Sequence, residues 1–346
     1  MFGLLRFILA LNVVAFHILS IPVIGPLAVY SFFILSGFLM TTIMHKTYGY
    51  SVVGFKKYAL NRFLRLYPLY WALMLLTLLC FALTGIEFIN SFHTKMDYPG
   101  TWSEALANIF MVYPYEYPVE YDPRLAPATW ALTIELFFYL IIGLGASKSK
   151  TSTVVWFLLS LGYLAYANIV KDELGLRYGN LFSASLPFSM GALIYHYRDV
   201  VRSSLLSVIF ERKWPLTIFF YANVFLTAGG MMLFKEQAWK FQFVGTILNL
   251  PLSALLIIQL MDRNIQFCSP KMDKLLGDLS YPVYIFHWTG AAFASWLLFG
   301  ETQKGITTNG LITFSAGLLI TIVISLAVNK YINEIIEKVR EKIKRN

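Results

Sequence analysis

Ionisable side chains inside long apolar runs are the residues of this sequence that are best placed to do chemistry. Such groups are costly in a membrane and are functional candidates by default. His17, Glu135 and His287 are three of them. Desolvation keeps an imidazole neutral, and a carboxylate can orient it and stabilise its cation, as general-base catalysis requires. We predict all three as catalytic; the alternatives are a packing role for His287 and a structural ion pair for Glu135.

Arg6 and His17 share the first apolar run, residues 4–20. At about 100° and 1.5 Å per residue, they lie about 20° apart around a helix and about 16 Å apart along it. They therefore share one face, with Arg6 near the membrane entry and His17 deep in the bilayer. The positions of Glu135 and His287 within their own runs also bring them towards the middle of the bilayer. The pattern predicts a central intramembrane cavity that these residues face.

A basic stretch before the third apolar run offers a site for an anion. Arg62 and Arg65 are three positions apart on one predicted helix face. Two guanidinium groups so placed suit a phosphate. The alternative is that they are topology charges only, like Lys56 and Lys57.

The amino-acid composition indicates that a membrane surrounds the segments that carry these residues. Of 346 residues, 58% are hydrophobic and only 14% are charged, against about 25% charged in soluble domains. The net charge of +9 does not indicate nucleic acid, because the basic residues lie in short stretches between apolar runs. No cluster of metal ligands is present, so we expect no metal.

We predict an all-α polytopic membrane protein with ten transmembrane helices. The predicted spans are residues 4–20, 27–44, 66–84, 128–145, 153–170, 180–196, 214–233, 242–261, 280–299 and 308–330. With this topology 21 of the 28 Lys and Arg residues lie on one side of the membrane, which predicts cytoplasmic N and C termini. Residues 1–330 form one transmembrane domain in this prediction, and residues 331–346 form a charged helical tail in the cytoplasm. The expected location is the inner or plasma membrane of the cell.

Five segments carry motif-like patterns in order along the chain. They are Arg6 with His17 (basic residue, ten residues, His), residues 31–38 (Ser-Phe-Phe-Ile-Leu-Ser-Gly-Phe), 61–68 (Asn-Arg-Phe-Leu-Arg-Leu-Tyr-Pro), 129–139 (Thr-Trp-Ala-Leu-Thr-Ile-Glu-Leu-Phe-Phe-Tyr) and 280–287 (Ser-Tyr-Pro-Val-Tyr-Ile-Phe-His). Together they resemble the acyltransferase-3 family of integral-membrane acyltransferases, which modify bacterial surface polysaccharides and related molecules. One departure is Ala131, where the family usually has a Ser after the Trp.

The resemblance implies an O-acetyltransferase-like enzyme. Its donor would be cytoplasmic acyl-CoA, with acetyl-CoA favoured, and its acceptor a carbohydrate hydroxyl, often on a lipid-linked or exported glycan. The residues that would hold the donor are Arg6, Ser36, Arg62 and Arg65.

In that interpretation His17 is the general base and Glu135 orients its ring. His287 is either a second proton carrier or an oxyanion donor. Direct transfer and a transient acyl-histidine are both open. Membrane lipids are the other expected partners.

Two other classes of function compete with this interpretation. A proton-coupled transporter could use His17, Glu135 and His287 as a relay. A structural membrane subunit would tolerate the loss of His17 and Glu135. The motif order favours the enzyme.

Overall fold

The computed structural model describes residues 2–113, 121–170, 178–204, 210–212, 214–261 and 267–345. Within these residues the regular structure is helical throughout, with no strand. The all-α prediction is therefore confirmed for the described part of the chain.

The described α-helices follow the apolar runs of the sequence. In chain order they are α1 Gly3–Leu19, α2 Ile24–Ile43, α3 Val52–Thr84, α4 Ile86–Phe92, α5 Trp102–Phe110, α6 Trp130–Gly143, α7 Lys150–Val170, α8 Leu181–Arg202, α9 Pro215–Leu233, α10 Ala238–Leu260, α11 Pro270–Phe299, α12 Thr308–Val328 and α13 Glu334–Arg345. Each predicted span overlaps one of these helices, and α3 and α11 begin well before the spans predicted there. A 3₁₀ turn, Pro127–Thr129, leads into α6, and π-helical turns follow α2 and α12.

Five helical stretches among the described residues are long and apolar enough to cross a membrane. They are Ile24–Tyr48, Val52–Thr84, Pro215–Leu233, Lys235–Leu260 and Thr308–Ile343. Helix α1 and the stretch Pro127–Gly143 are apolar but shorter. The chain is thus a membrane protein with several spans, and the count of ten stays a prediction.

One compact unit comprises residues 1–9, 22–59 and 134–275. In it α2 packs against α8 and α10, α7 packs against α8, and α9 packs against α10. The contact between α2 and α8 is a backbone contact. A Cβ at Gly37 would overlap the carbonyl group of Phe188, and one at Gly191 would overlap the carbonyl oxygen of Ile34. Glycine is therefore required at both positions.

The start of α1 belongs to this unit and is capped from α11. The carboxylate of Asp273 accepts hydrogen bonds from the backbone N–H groups of Gly3 (3.2 Å) and Leu4 (3.0 Å). A carboxylate at this position satisfies free N–H groups and suits the helix dipole. The same unit holds a cavity of about 520 Å³ with a mainly apolar lining. None of the predicted site residues lines it, so the predicted central cavity stays a prediction.

The second unit comprises residues 10–21, 60–133 and 276–346. Here α12 lies close to α11, with Gly317 against the backbone of Ala291. Helix α3 is joined to α11 by a hydrogen bond between the hydroxyl groups of Thr77 and Thr289 (2.9 Å). The tail is helical as α13, and its Arg340 is buried, only 5% exposed, and donates to Asn61 (3.2 Å).

Candidate active site

Two of the predicted catalytic residues meet in the second unit. His17 Nδ1 lies 2.8 Å from His287 Nε2, and the two rings are nearly parallel, with an interplanar angle of 7°. His287 is buried, with 1% of its surface exposed, whereas His17 is only partly buried. The imidazole of His17 is therefore the more accessible member of a hydrogen-bonded histidine pair.

The partners of His287 determine which nitrogen atoms of the pair carry hydrogen. His287 Nδ1 lies 2.8 Å from the carbonyl oxygen of Tyr284, which can only accept, so Nδ1 carries the hydrogen. A neutral imidazole has one N–H group, so Nε2 of His287 is an acceptor. His17 Nδ1 must then donate to it. In a neutral His17 the lone pair is left on Nε2, as a general base requires.

Helix α11 holds His287 through the tyrosines of its motif. The hydroxyl of Tyr281 donates to the carbonyl oxygen of Leu66 on α3 (3.1 Å). The hydroxyl of Tyr284 donates to the carbonyl oxygen of Ala128 in the turn before α6 (2.9 Å). Because these residues precede His287 on the same helix, both contacts fix the position from which its ring projects.

The loop after α11 holds the end of α1. The N–H group of Gly305 donates to the carbonyl oxygen of Ile18 (2.9 Å), the residue that follows His17. Ser295 on α11 orders the same loop: its hydroxyl donates to the Glu301 carbonyl (2.8 Å) and accepts from the Gln303 N–H (2.9 Å). His17 thus lies beside a fixed loop.

Sequence reasoning did not single out two residues of this neighbourhood, Trp288 and His93. The ring centroid of Trp288 lies 5.0 Å from that of His17 and 4.2 Å from that of His93. Burial, followed by the positive charge of Lys304, lowers the pKa of His93 to about 4. Its Nδ1 accepts from the Lys95 N–H (3.1 Å). The position of Trp288 next to His287 could have drawn attention to it, but nothing in the sequence brings His93 there.

Glu135 lies in the first unit, where its carboxylate has two described hydrogen bonds. It accepts from the hydroxyl of Ser36 (2.7 Å) and from that of Tyr139 (3.1 Å). Ala131 cannot supply the hydrogen bond that the usual Ser of the motif would give, and Ser36 and Tyr139 donate to the carboxylate here. The structure brings Ser36 and Glu135 together; that Glu135 orients His17 stays a prediction.

The three predicted anion-binding arginines have different surroundings. Arg65 forms ion pairs with Asp278 (3.5 Å) and Glu337 (3.3 Å). Arg62 donates to the side-chain oxygen of Asn61 (2.8 Å). Arg6 lies in the first unit on α1, partly buried. A phosphate bound by Arg65 would have to compete with two carboxylates.

The comparisons with known proteins give one match. A family model described as an acyltransferase domain matches residues 2–330. This range includes segments of both units and ends before α13. No curated protein and no solved structure matches the chain.

Proposed function

The chain belongs to the acyltransferase-3 family of integral-membrane acyltransferases, and on that premise we propose that it transfers an acyl group from acyl-CoA to a carbohydrate hydroxyl. We favour acetyl as the group and a cell-surface or exported glycan as the acceptor. The observation that carries the proposal is the His17–His287 pair, with a 2.8 Å hydrogen bond and a lone pair on His17 Nε2. The family match favours this enzyme over a proton-coupled transporter.

His17 acts as the general base in this proposal. The hydroxyl oxygen of the acceptor attacks the carbonyl carbon of the thioester, while His17 Nε2 takes the hydroxyl proton. The new C–O bond gives a tetrahedral intermediate. When its C–S bond breaks, the CoA thiolate leaves and takes up that proton from the imidazolium. The products are an ester and free CoA thiol, and no acyl-histidine is needed.

His287 orients His17 and shares its proton. Both of its nitrogen atoms are engaged, Nε2 with His17 and Nδ1 with the Tyr284 carbonyl. It therefore has no N–H group left for an oxyanion, which favours the proton carrier over the oxyanion donor. As His17 becomes a cation, Nδ1–H can move towards His287 Nε2, and the Tyr284 carbonyl stabilises the resulting charge.

The remaining predicted residues have supporting roles. Arg6 and Arg62 bind the phosphates of the donor through charge-assisted hydrogen bonds. Arg65 joins them when it exchanges a carboxylate partner for phosphate. Ser36 fixes the carboxylate of Glu135, which we propose to stabilise positive charge on the histidine pair during the reaction. Nothing in this scheme requires a metal ion.

Replacing the base tests the mechanism. We expect His17→Gln to lower the rate of transfer from radiolabelled acetyl-CoA in proteoliposomes by about 10²-fold or more. The matched control is His45→Gln, because His45 also bonds a backbone carbonyl, that of Ser147 (3.0 Å), but belongs to the first unit, whereas the pair belongs to the second. Near-normal activity of His17→Gln with normal membrane insertion would rule out His17 as the base.

The acyl group and the acceptor need a separate measurement. Mass spectrometry of surface glycans and free oligosaccharides from cells with the active chain, compared with cells carrying His17→Gln, should show a mass gain of one acyl group. A gain that corresponds to acetyl identifies the donor as acetyl-CoA. Identical glycans, lipids and oligosaccharides in the two strains would contradict a carbohydrate acceptor.

A further inference from the structure

Four residues of the second unit form a group beside the His17–His287 pair, which we call the outer cluster: Phe92, His93, Trp288 and Lys304. Trp288 connects the group to the pair, because its ring stacks on that of His17 at 5.0 Å. His93 and Lys304 come from loops that the charge distribution predicts on the outer side of the membrane. An acceptor that arrives from that side would meet these residues first.

Lys304 is held with its ammonium group among aromatic rings. The group donates to the carbonyl oxygen of Phe92. It lies 5.1 Å from the ring centroid of Phe92 and 5.6 Å from that of Trp288. Among the described residues no carboxylate lies within 4.0 Å of it. An ammonium has three N–H donors, and this one has a single described hydrogen bond, to a neutral oxygen.

His93 and Trp288 add two further N–H donors to the outer cluster. His93 Nδ1 accepts from the Lys95 N–H, so neutral His93 carries its hydrogen on Nε2. The side chain of Trp288 is only 4% exposed, and its indole N–H is buried with no acceptor among the described residues. A buried donor without a partner is costly and needs an explanation. The indole thus has an N–H group with no acceptor among the described residues, and the ammonium has N–H groups beyond its one described hydrogen bond.

From this excess of donors we propose that the outer cluster binds an oxyanion of the acceptor, a carboxylate or phosphate carried on the carbohydrate. Lys304 supplies the charge, and the N–H groups of His93 and Trp288 orient the oxyanion. Binding there holds the acceptor beside His17, whose ring stacks on Trp288. The inference rests on the proposed function for the identity of the acceptor, and it makes acidic sugars the preferred class.

Binding measured without acyl-CoA tests the inference independently of catalysis. The probes are a glucuronate-containing tetrasaccharide and the same tetrasaccharide with its carboxyl groups reduced to alcohols, titrated calorimetrically into the full chain in phosphatidylcholine nanodiscs. We expect the charged probe to bind about tenfold or more tightly than the reduced one. A glucose 1-phosphate titration distinguishes a phosphate preference from a carboxylate preference. Binding of no anionic probe, or equal affinity for the charged and reduced sugars without phosphate binding, overturns the inference.

Variants of Lys304 test whether this residue causes the preference for the charged probe. Lys304→Met should remove the preference for the charged probe, and Lys304→Arg should retain most of it. The matched control is Lys240→Met, because the Lys240 ammonium also lies over an aromatic ring, that of Trp239 at 5.7 Å, on the predicted outer side. If Lys304→Met keeps the preference, the outer cluster is not the anion site.

Enzyme kinetics and lipid composition distinguish an acceptor site at Lys304 from an oxyanion hole and from a lipid-headgroup site. Loss of an acceptor site in Lys304→Met raises KM for the charged sugar relative to KM for the reduced sugar. Loss of an oxyanion hole would lower kcat for both sugars, and that result overturns the inference. If phosphatidylglycerol in the nanodisc abolishes the preference for the charged sugar, the inference is also overturned, because Lys304 would then bind a lipid headgroup. A chain that binds the charged probe but transfers no acyl group contradicts the proposed function alone.

Discussion

The histidine pair shows how a backbone carbonyl can set the protonation of a site. The Tyr284 carbonyl accepts from His287 Nδ1, His287 Nε2 accepts from His17 Nδ1, and His17 Nε2 keeps its lone pair. A catalytic triad uses a similar arrangement: an acceptor orients a histidine, and that histidine makes a hydroxyl nucleophilic. Here a second histidine, His287, stands between the orienting acceptor and His17, the proposed base. It can take the positive charge as well as direct the ring.

The first prediction at the residue scale separates orientation from proton transfer at His287. His287→Gln keeps an acceptor for the His17 N–H but cannot take up a proton, whereas His287→Phe removes the acceptor as well. We expect kcat to fall roughly tenfold or more in His287→Gln and further in His287→Phe, within the range of general acid–base contributions. Initial rates with saturating acyl-CoA measure kcat for the two variants. Equal, wild-type kcat values would show that His287 only fills space.

The lowered pKa of His93 predicts how the stability of the chain depends on pH. Its folded pKa of about 4 lies below the ordinary value of 6.5, first because of burial and then because of Lys304, with Lys95 acting in the same direction and a backbone hydrogen bond and Asp122 opposing. Between these two pH values the unfolded chain binds more protons, so stability falls as the pH falls. The contribution of His93 is fully present above pH 6.5 and is lost progressively towards pH 4.

Thermal unfolding in detergent measures this dependence. We expect the Tm of the wild-type chain to fall from pH 7 to pH 4.5, and His93→Gln to fall less over the same range. If His93→Gln shows the full pH dependence of the wild type, other groups cause it.

At the scale of elements, hydropathy locates a membrane span better than it locates the end of a helix. The third span was predicted as residues 66–84, whereas α3 begins at Val52. The ninth was predicted as residues 280–299, whereas α11 begins at Pro270. In both helices the added turns mix charged and apolar residues, so they continue the helix without continuing the apolar run. These turns carry functional candidates, because Arg62 and Arg65 lie in the extension of α3.

The candidate site was predictable where it depends on helix geometry. The depth of His17 and His287 in their apolar runs indicated that both reach the same layer, and the structure places them in contact. The hydrogen bond from Ser36 to Glu135 was not predicted, because periodicity does not fix which faces of two helices meet. His93 could not be found from the sequence, since a loop residue has no periodicity and its position depends on tertiary packing.

The contact between α2 and α8 gives a prediction at the element scale. Gly37→Ala and Gly191→Ala each place a Cβ against backbone atoms of the neighbouring helix, which cannot be relieved by a side-chain rotation. We expect each to destabilise the chain by about 1–3 kcal/mol, as overpacking does. Gly37 follows Ser36, so Gly37→Ala should also disturb the Ser36–Glu135 hydrogen bond.

Gly162→Ala is the control for helix propensity. A Cβ at Gly162 on α7 has no atom within 4 Å, so alanine there should be neutral or stabilising by up to about 1 kcal/mol. Unfolding of the three variants in the same detergent provides the comparison. If Gly37→Ala and Gly191→Ala are as stable as Gly162→Ala, the two helices do not need backbone contact.

The whole molecule combines a family match over residues 2–330 with a strong charge asymmetry. The family identifies a membrane acyltransferase, and the asymmetry predicts which side of the membrane each loop faces. The proposed mechanism depends on this orientation. Acyl-CoA is made in the cytoplasm, so the end of α1 that carries Arg6 must be cytoplasmic if Arg6 binds the donor. The loop with Lys304 must then face outwards.

Cysteine labelling tests the orientation directly. Cys80 and Cys268 are both free thiols, and the background Cys80→Ser with Cys268→Ser removes them. Glu301→Cys and Lys338→Cys then place single thiols at exposed positions on either side of α12. In right-side-out vesicles a membrane-impermeant maleimide should label Glu301→Cys at once and Lys338→Cys only after permeabilisation. The opposite pattern would put Arg6 on the outer side, away from acyl-CoA, and the proposed donor site would fail even if His17 remained the base.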